Sequence, residues 1–390
     1  MNTNLTQRIQ QSPTVTMTTR VAERRAAGAD IIGLHAGEPE FDTPEHIKQA
    51  AAKAIENNFT HYTVVDGILS LKQAIRQKFS RDNQVNYQSE QILVSCGAKH
   101  SIYNAYQALL NPGDEVIISA PYWVSYPDMA LLAGANPVII TTSRQQNYKI
   151  SAAQLKAAIT AKTKLLLLCS PANPTGVVYT HAELQALADV LLKHPNIYII
   201  SDDIYEQIYW AEQPFRNIVM QESNLYERTI VINGVSKAYA MTGWRIGYAA
   251  GPLKIINTMK KLQSQSTGNS TSISQAAAEI ALAGPQNCVA KMRDIYHKRH
   301  SMGLRQLNDI NGFDCNAAQG AFYFFPEVTD AIQRLGLDDD VALSELLLEK
   351  AHVATMPGSA FGLKNHLRLS YTVSDSQLKE ALNRIKNLLG

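Results

Sequence analysis

Cysteine is scarce in this chain, and so are the other residues or runs that would commit it to a specialised class. Its 390 residues hold four cysteines, Cys96, Cys169, Cys288 and Cys315, scattered and without metal-ligand spacing. That argues against a disulfide framework and predicts reduced thiols in the cytoplasm. No stretch approaches the ~20 apolar residues of a membrane-crossing helix, and Met1 to Met17 is too polar to serve as a signal peptide. The net charge of +2 leaves no electrostatic footprint for nucleic acid or a membrane surface. Repeats and low-complexity segments are absent from the sequence. So is a Gly-x-Gly-x-x-Gly after the first strand, which argues against a nicotinamide oxidoreductase. No helix-turn-helix pattern precedes the core, which argues against a regulatory DNA-binding module.

What the chain does have is bulk and alternation. With 45% hydrophobic and 18% charged residues, 390 residues suffice for two domains with a large core. Apolar runs alternate with helical patterns, so the expected fold is α/β, with a mostly parallel central sheet flanked by helices. The expected large domain spans 46–285, and a smaller α+β domain combines 1–45 with 286–390. Helices are predicted over Thr18 to Ala27, from Thr43 (as N-cap, with Pro44 after it) to Ile55, and over Met292 to Leu307. The strand signals include Ile92 to Val94, Glu115 to Ser119, Leu165 to Cys169, Ile197 to Ile200 and Thr229 to Ile232, then Gly320 to Phe325 and His366 to Tyr371. Arg368 alternates with apolar neighbours, which predicts a side chain pointing away from the buried face.

Chemistry gathers where four of these strands end. Trp123 follows one, Asn173 the next, Asp202 and Tyr205 the third, and Lys237 the fourth. In a parallel sheet these ends converge on one edge, where open α/β sheets keep their ligands. A lysine there can be desolvated into a nucleophilic amine. Arg245, eight positions later, offers a planar fork of donors for a phosphate. Gly97, Ala98 and Lys99 start a helix after a strand, a general anion-binding arrangement. These are the parts of a pyridoxal-phosphate site. Lys237 would form the Schiff base and carry the proton between Cα and cofactor. Asp202 would keep the ring nitrogen protonated, Tyr205 and Asn173 would bond the phenolic oxygen, and Trp123 would stack on the ring.

The motifs resemble a known family. Ser170-Pro171-Ala172-Asn173-Pro174-Thr175-Gly176, Ser201-Asp202-Asp203-Ile204-Tyr205 and Ser236-Lys237 with Met241-Thr242-Gly243-Trp244-Arg245-Ile246-Gly247 resemble the fold-type I pyridoxal-phosphate aminotransferases of classes I and II. Ala36-Gly37-Glu38-Pro39, Pro121 to Pro127 and His366 to Tyr371 bring the chain closer to the bacterial aspartate aminotransferase branch. The resemblance runs from about Thr14 to Leu388 in the family's order. It implies that Arg245 with the amides of Ala98 and Lys99 holds the phosphate. It implies that Arg368 clamps the substrate α-carboxylate, helped by Asn173 and the Gly37 backbone. Tyr62 resembles the tyrosine that reaches the phosphate in the neighbouring subunit, which implies a homodimer with shared active sites. The implied activity moves an amino group from an amino acid, aspartate first, to a 2-oxo acid, 2-oxoglutarate first.

The chain departs from the family at two positions. Gly234 stands where the family often carries a serine or threonine that contacts phosphate, which leaves Ser236 as the substitute. Gln10 stands where some members carry a lysine for a dicarboxylate side chain. Lys99 or a residue of the Ser266 to Ser272 loop is then the alternative. The rival expectations are an aromatic, prephenate or broad-specificity aminotransferase, and below them a carbon–sulfur lyase.

Overall fold

The structure, a computed structural model, describes residues 6–9 and 11–390. Gln10 and the expectation attached to it lie outside the described residues. In chain order the strands are β1 (Ile32–Gly33), β2 (Ile92–Ser95), β3 (Glu115–Ala120), β4 (Asn136–Thr141), β5 (Thr163–Cys169), β6 (Tyr198–Asp202), β7 (Thr229–Gly234), β8 (Gly247–Ala250), β9 (Tyr323–Phe324), β10 (Val353–Ala354), β11 (Met356–Pro357) and β12 (Leu367–Ser370). Seven of them form one sheet in the order β2-β8-β7-β6-β5-β3-β4. The run β7-β6-β5-β3-β4 is parallel throughout, and β8 is antiparallel to both its neighbours. The expected mostly parallel sheet is thus present.

Helices cover both faces of this sheet. On β5, Leu166 and Leu168 join one apolar cluster while Leu165 and Leu167 join another on the opposite face. A strand apolar on both sides is what a doubly covered parallel sheet requires. A third cluster, with Phe322, Phe324, Tyr371 and Leu378, lies around the antiparallel sheet β11-β12-β9.

Several boundaries differ from expectation. Helix α1 runs over Pro13–Ala26, starting five residues earlier than Thr18, with a proline in its first turn. Helix α2 covers Glu45–Glu56 with Pro44 at the cap, and Thr43 does not cap it. The Thr43 hydroxyl instead donates to Ala240 O at 2.7 Å and accepts from Trp244 Nε1 at 3.0 Å, because the loop after Lys237 packs against this corner. Helix α3 is Leu69–Lys78 and α4 is Ala98–Leu109. The long helix expected over Met292 to Leu307 extends to Asn287–Asn308. The strand expected over Gly320 to Phe325 is reduced to two residues, since Ala321 takes the left-handed conformation at φ 56°.

Beneath the sheet edge lies a buried ion pair. Lys78 and Glu206 are 2% and 6% exposed and in direct contact. Glu206 also accepts from Asn233 Nδ2 and Asn83 Nδ2, both at 2.8 Å, which ties the turn after β6 to the end of β7. Removing one charge strands the other in a low-dielectric interior. Lys78→Ala is therefore expected to destabilise the protein by about 3–5 kcal/mol. Urea unfolding checks this: an unchanged midpoint would mean that the pair is solvated.

Candidate active site

Trp123, Asn173, Asp202 with Tyr205, and Lys237 follow β3, β5, β6 and β7, four strands of the parallel run, so they meet at one edge. There they line a cavity of about 250 Å³ together with Gly37, Ala98, Lys99, Ser236, Arg245 and Arg368. Two predicted residues stand outside its lining. Gly97 is the cap residue of α4 beside it, and Tyr62 is 98% exposed on the surface.

Lys237 extends across the cavity, and its Nζ donates to Gly37 O at 2.6 Å. Burial pulls its pKa down to about 8; Arg368 and Arg245 push the same way, and Glu38 and Asp202 oppose. An amine so placed is neutral far more often than an exposed lysine. Asp202, at 4% exposure, accepts from the Tyr126 hydroxyl at 2.5 Å and from Ile204 N at 3.4 Å. Burial raises its pKa to about 6 against those bonds and the Lys237 charge. A cationic ring nitrogen beside it would draw that value back down.

The opposite wall is cationic. Arg368 is buried, contrary to the expectation that it points away from the buried face. All four residues of β12 are buried, and the Arg368 side chain is covered by Asn173, His35, Tyr323 and Phe361, so alternation there does not separate core from solvent. Its guanidinium lies 4.7 Å from the ring centroids of both Tyr323 and Phe361. It donates to Asn173 Oδ1 at 3.2 Å and to His35 O at 2.5 Å, while its Nε is buried without a partner. A buried cation that lines a cavity and keeps an unpartnered donor fits a carboxylate ligand. With its oxygen engaged by Arg368, Asn173 still has an NH₂ to offer.

At the other end, Gly97 takes φ +88° to start α4, and a Cβ there would meet the Arg245 guanidinium at 2.2 Å. Arg245, itself left-handed at φ 58°, is anchored by donation to Thr242 O at 2.8 Å and Cys96 O at 3.2 Å. A helix N-terminus and an arginine thus face one pocket, a fit for a phosphate. Lys99 holds its Nζ 4.9 Å from the Trp123 ring centroid. Ser236 lines the cavity. Gly234 packs on Ile246 O and Gly247, where a Cβ would be within 3.0 Å.

The sequence reading missed Tyr126, Tyr323, Thr14 and Cys169, all of which line the same cavity. Tyr126 was findable: it lies one helical turn after Trp123, and its ring meets that indole edge-on at 5.3 Å.

The fold and this site define a class. Residues 29–385 match the family described as Aminotransferase class I and II, and the chain belongs to it. The protein is a transaminase of a pyridoxal-phosphate-dependent family. It is 50% identical over 389 residues, 98% of each chain, to the aspartate/prephenate aminotransferase of Nitrosomonas europaea. It is 46% identical over 378 residues, 97% of this chain and 96% of the other, to the aspartate aminotransferase of Bacillus subtilis. The solved aspartate aminotransferase of Rhizobium meliloti superposes with a TM-score of 0.94 at 43% identity, covering 99% of this chain and 98% of that one.

Proposed function

We propose that the protein transfers the amino group of L-aspartate to 2-oxoglutarate in two half-reactions. One observation carries this reading: a buried amine held toward its neutral form, a buried carboxylate and a buried arginine with an unpartnered Nε share one cavity. The relatives above are aspartate and aspartate/prephenate aminotransferases, which favours aspartate over phenylalanine. Bound in that cavity, pyridoxal phosphate supplies an electron sink for the pair released when a proton leaves the substrate Cα. Asp202, held by Tyr126, keeps a proton on the ring nitrogen. Tyr205 and the Asn173 NH₂ would bond the phenolic oxygen, and the Trp123 ring would stack on the cofactor. Gly97, Ala98, Lys99, Ser236 and Arg245 hold the phosphate. Arg368 and the Gly37 backbone hold the α-carboxylate, and the Lys237 amine moves the Cα proton. Lys99 is the cation at hand for a second carboxylate.

In this reading 46–285 is the large domain, and 1–45 with 286–390 the small one. Two chains form a homodimer in the cytoplasm, and exposed Tyr62 reaches the partner's phosphate. No described helix is long and apolar enough to cross a membrane.

The test is a single half-reaction without acceptor. Aspartate should release about one equivalent of oxaloacetate per site and leave its amino group on the enzyme, and phenylalanine should release far less phenylpyruvate. Equal release from both would replace the reading with a broad or aromatic transaminase. Continuous release of pyruvate from cysteine would replace it with a lyase.

A further inference from the structure

Tyr323 has no role in the account above, yet three observations single it out. It lines the cavity at 1% exposure. Its hydroxyl lies 2.7 Å from the Tyr205 hydroxyl. Its ring carries the Arg368 guanidinium at 4.7 Å. The Gly37 backbone also closes onto it, so tightly that a Cβ at Gly37 would lie 2.4 Å from the Tyr323 oxygen. The side chain comes from β9 of the small antiparallel sheet, and Tyr205 from the turn after β6 of the large one.

A phenol has one proton to donate and accepts through its oxygen. On the proposed reading, on which this inference rests, Tyr205 gives its proton to the cofactor's phenolic oxygen. The bond between the two tyrosines must then run from the Tyr323 hydroxyl to the Tyr205 oxygen. We infer that Tyr323 is a positioning residue that acts through Tyr205, forming a two-link donor chain Tyr323 to Tyr205 to the phenolic oxygen. Hydrogen bonds in series polarise one another in a buried setting, so the outer link strengthens the inner one. A cation stacked on the Tyr323 ring draws electron density from its O–H and makes it a better donor. A strongly bonded phenolic oxygen holds a neighbouring proton less tightly, which lowers the pH at which the bound cofactor changes its visible absorption.

The experiment titrates the visible absorption of four holoenzymes against pH: wild type, Tyr323→Phe, Tyr205→Phe and the double variant. Phenylalanine keeps the Tyr323 ring, its packing and its stack with Arg368, and removes the hydroxyl alone. Tyr323→Phe should raise the midpoint by roughly half to one pH unit, the scale of one ordinary hydrogen bond. Tyr205→Phe should raise it further, and the double variant should go no higher than Tyr205→Phe, because the outer link has nothing left to act through. An unmoved midpoint in Tyr323→Phe, beside a shifted Tyr205→Phe, overturns the inference alone. Additive shifts in the double variant also overturn it, since Tyr323 would then act independently. An unmoved midpoint in Tyr205→Phe overturns the role of Tyr205 and the inference with it.

Discussion

Lys237→Ala will lower turnover by at least about 10⁴-fold, the scale of losing a positioned acid–base group, to which loss of the covalent attachment adds. Cofactor binding should survive, because Asp202, Trp123 and Arg245 line the same cavity without help from the amine. The measurement pairs steady-state transamination with equilibrium dialysis of pyridoxal phosphate. Retained turnover would remove Lys237 from the chemistry, and lost binding would make it an anchor instead. The wild-type apoprotein supplies a pH test of the same residue. Only the neutral amine attacks the cofactor aldehyde, and the Lys237 pKa is lowered to about 8. The sign follows directly: below that value each pH unit leaves about tenfold less neutral amine, and above it the gain levels off. The covalent capture rate should therefore climb with pH and flatten near 8. A rate still climbing toward pH 10 would mean that burial does not act on this lysine.

Arg368→Lys will cost about 10²–10³-fold in kcat/KM for aspartate, nearly as much as Arg368→Ala. Lysine keeps the charge but not the plane. The guanidinium is gripped between Tyr323 and Phe361 and fixed by Asn173 and His35 O, so its fork is set before a carboxylate arrives. Truncating one partner of a buried charged pair typically costs about 2–5 kcal/mol, which is the source of that range. The loss should fall on every amino acid tested, because all share the α-carboxylate. A loss confined to dicarboxylates would assign Arg368 to the distal end. Half-reaction kinetics with aspartate and alanine separate the two outcomes.

Legibility in the sequence followed the physics of each element. Trp123, Asn173, Asp202 and Lys237 could be found because each ends an apolar run, and parallel topology sends all such ends to one edge. Arg368 could be found as a residue but not as a direction. Alternation assumes one wet face, and β12 has none. Strand β8 escaped notice because Gly247-Tyr248-Ala249-Ala250 carries little hydrophobic pattern; it is held by pairing with β2 and β7 on either side. Tyr323 was hidden in the run Phe322-Tyr323-Phe324-Phe325, where an aromatic reads as core whichever way its hydroxyl points. Thr43 carried a valid cap signal, and a tertiary contact with Ala240 and Trp244 overrode it.

The contacts that complete the cavity span great lengths of chain. Lys237 reaches Gly37 across 200 residues, Arg368 reaches Asn173 across 195, and Arg368 reaches His35 across 333. Contacts so distant in sequence close late, after the loop entropy of the intervening chain has been overcome. A nascent or half-refolded chain that has formed β3, β5, β6 and β7 but not β12 lacks the Arg368 grip on a substrate carboxylate. Capture of pyridoxal phosphate during refolding therefore needs only the groups that follow β2 to β7, whereas recovered turnover waits for Arg368, and the lag between the two reports the last step of assembly.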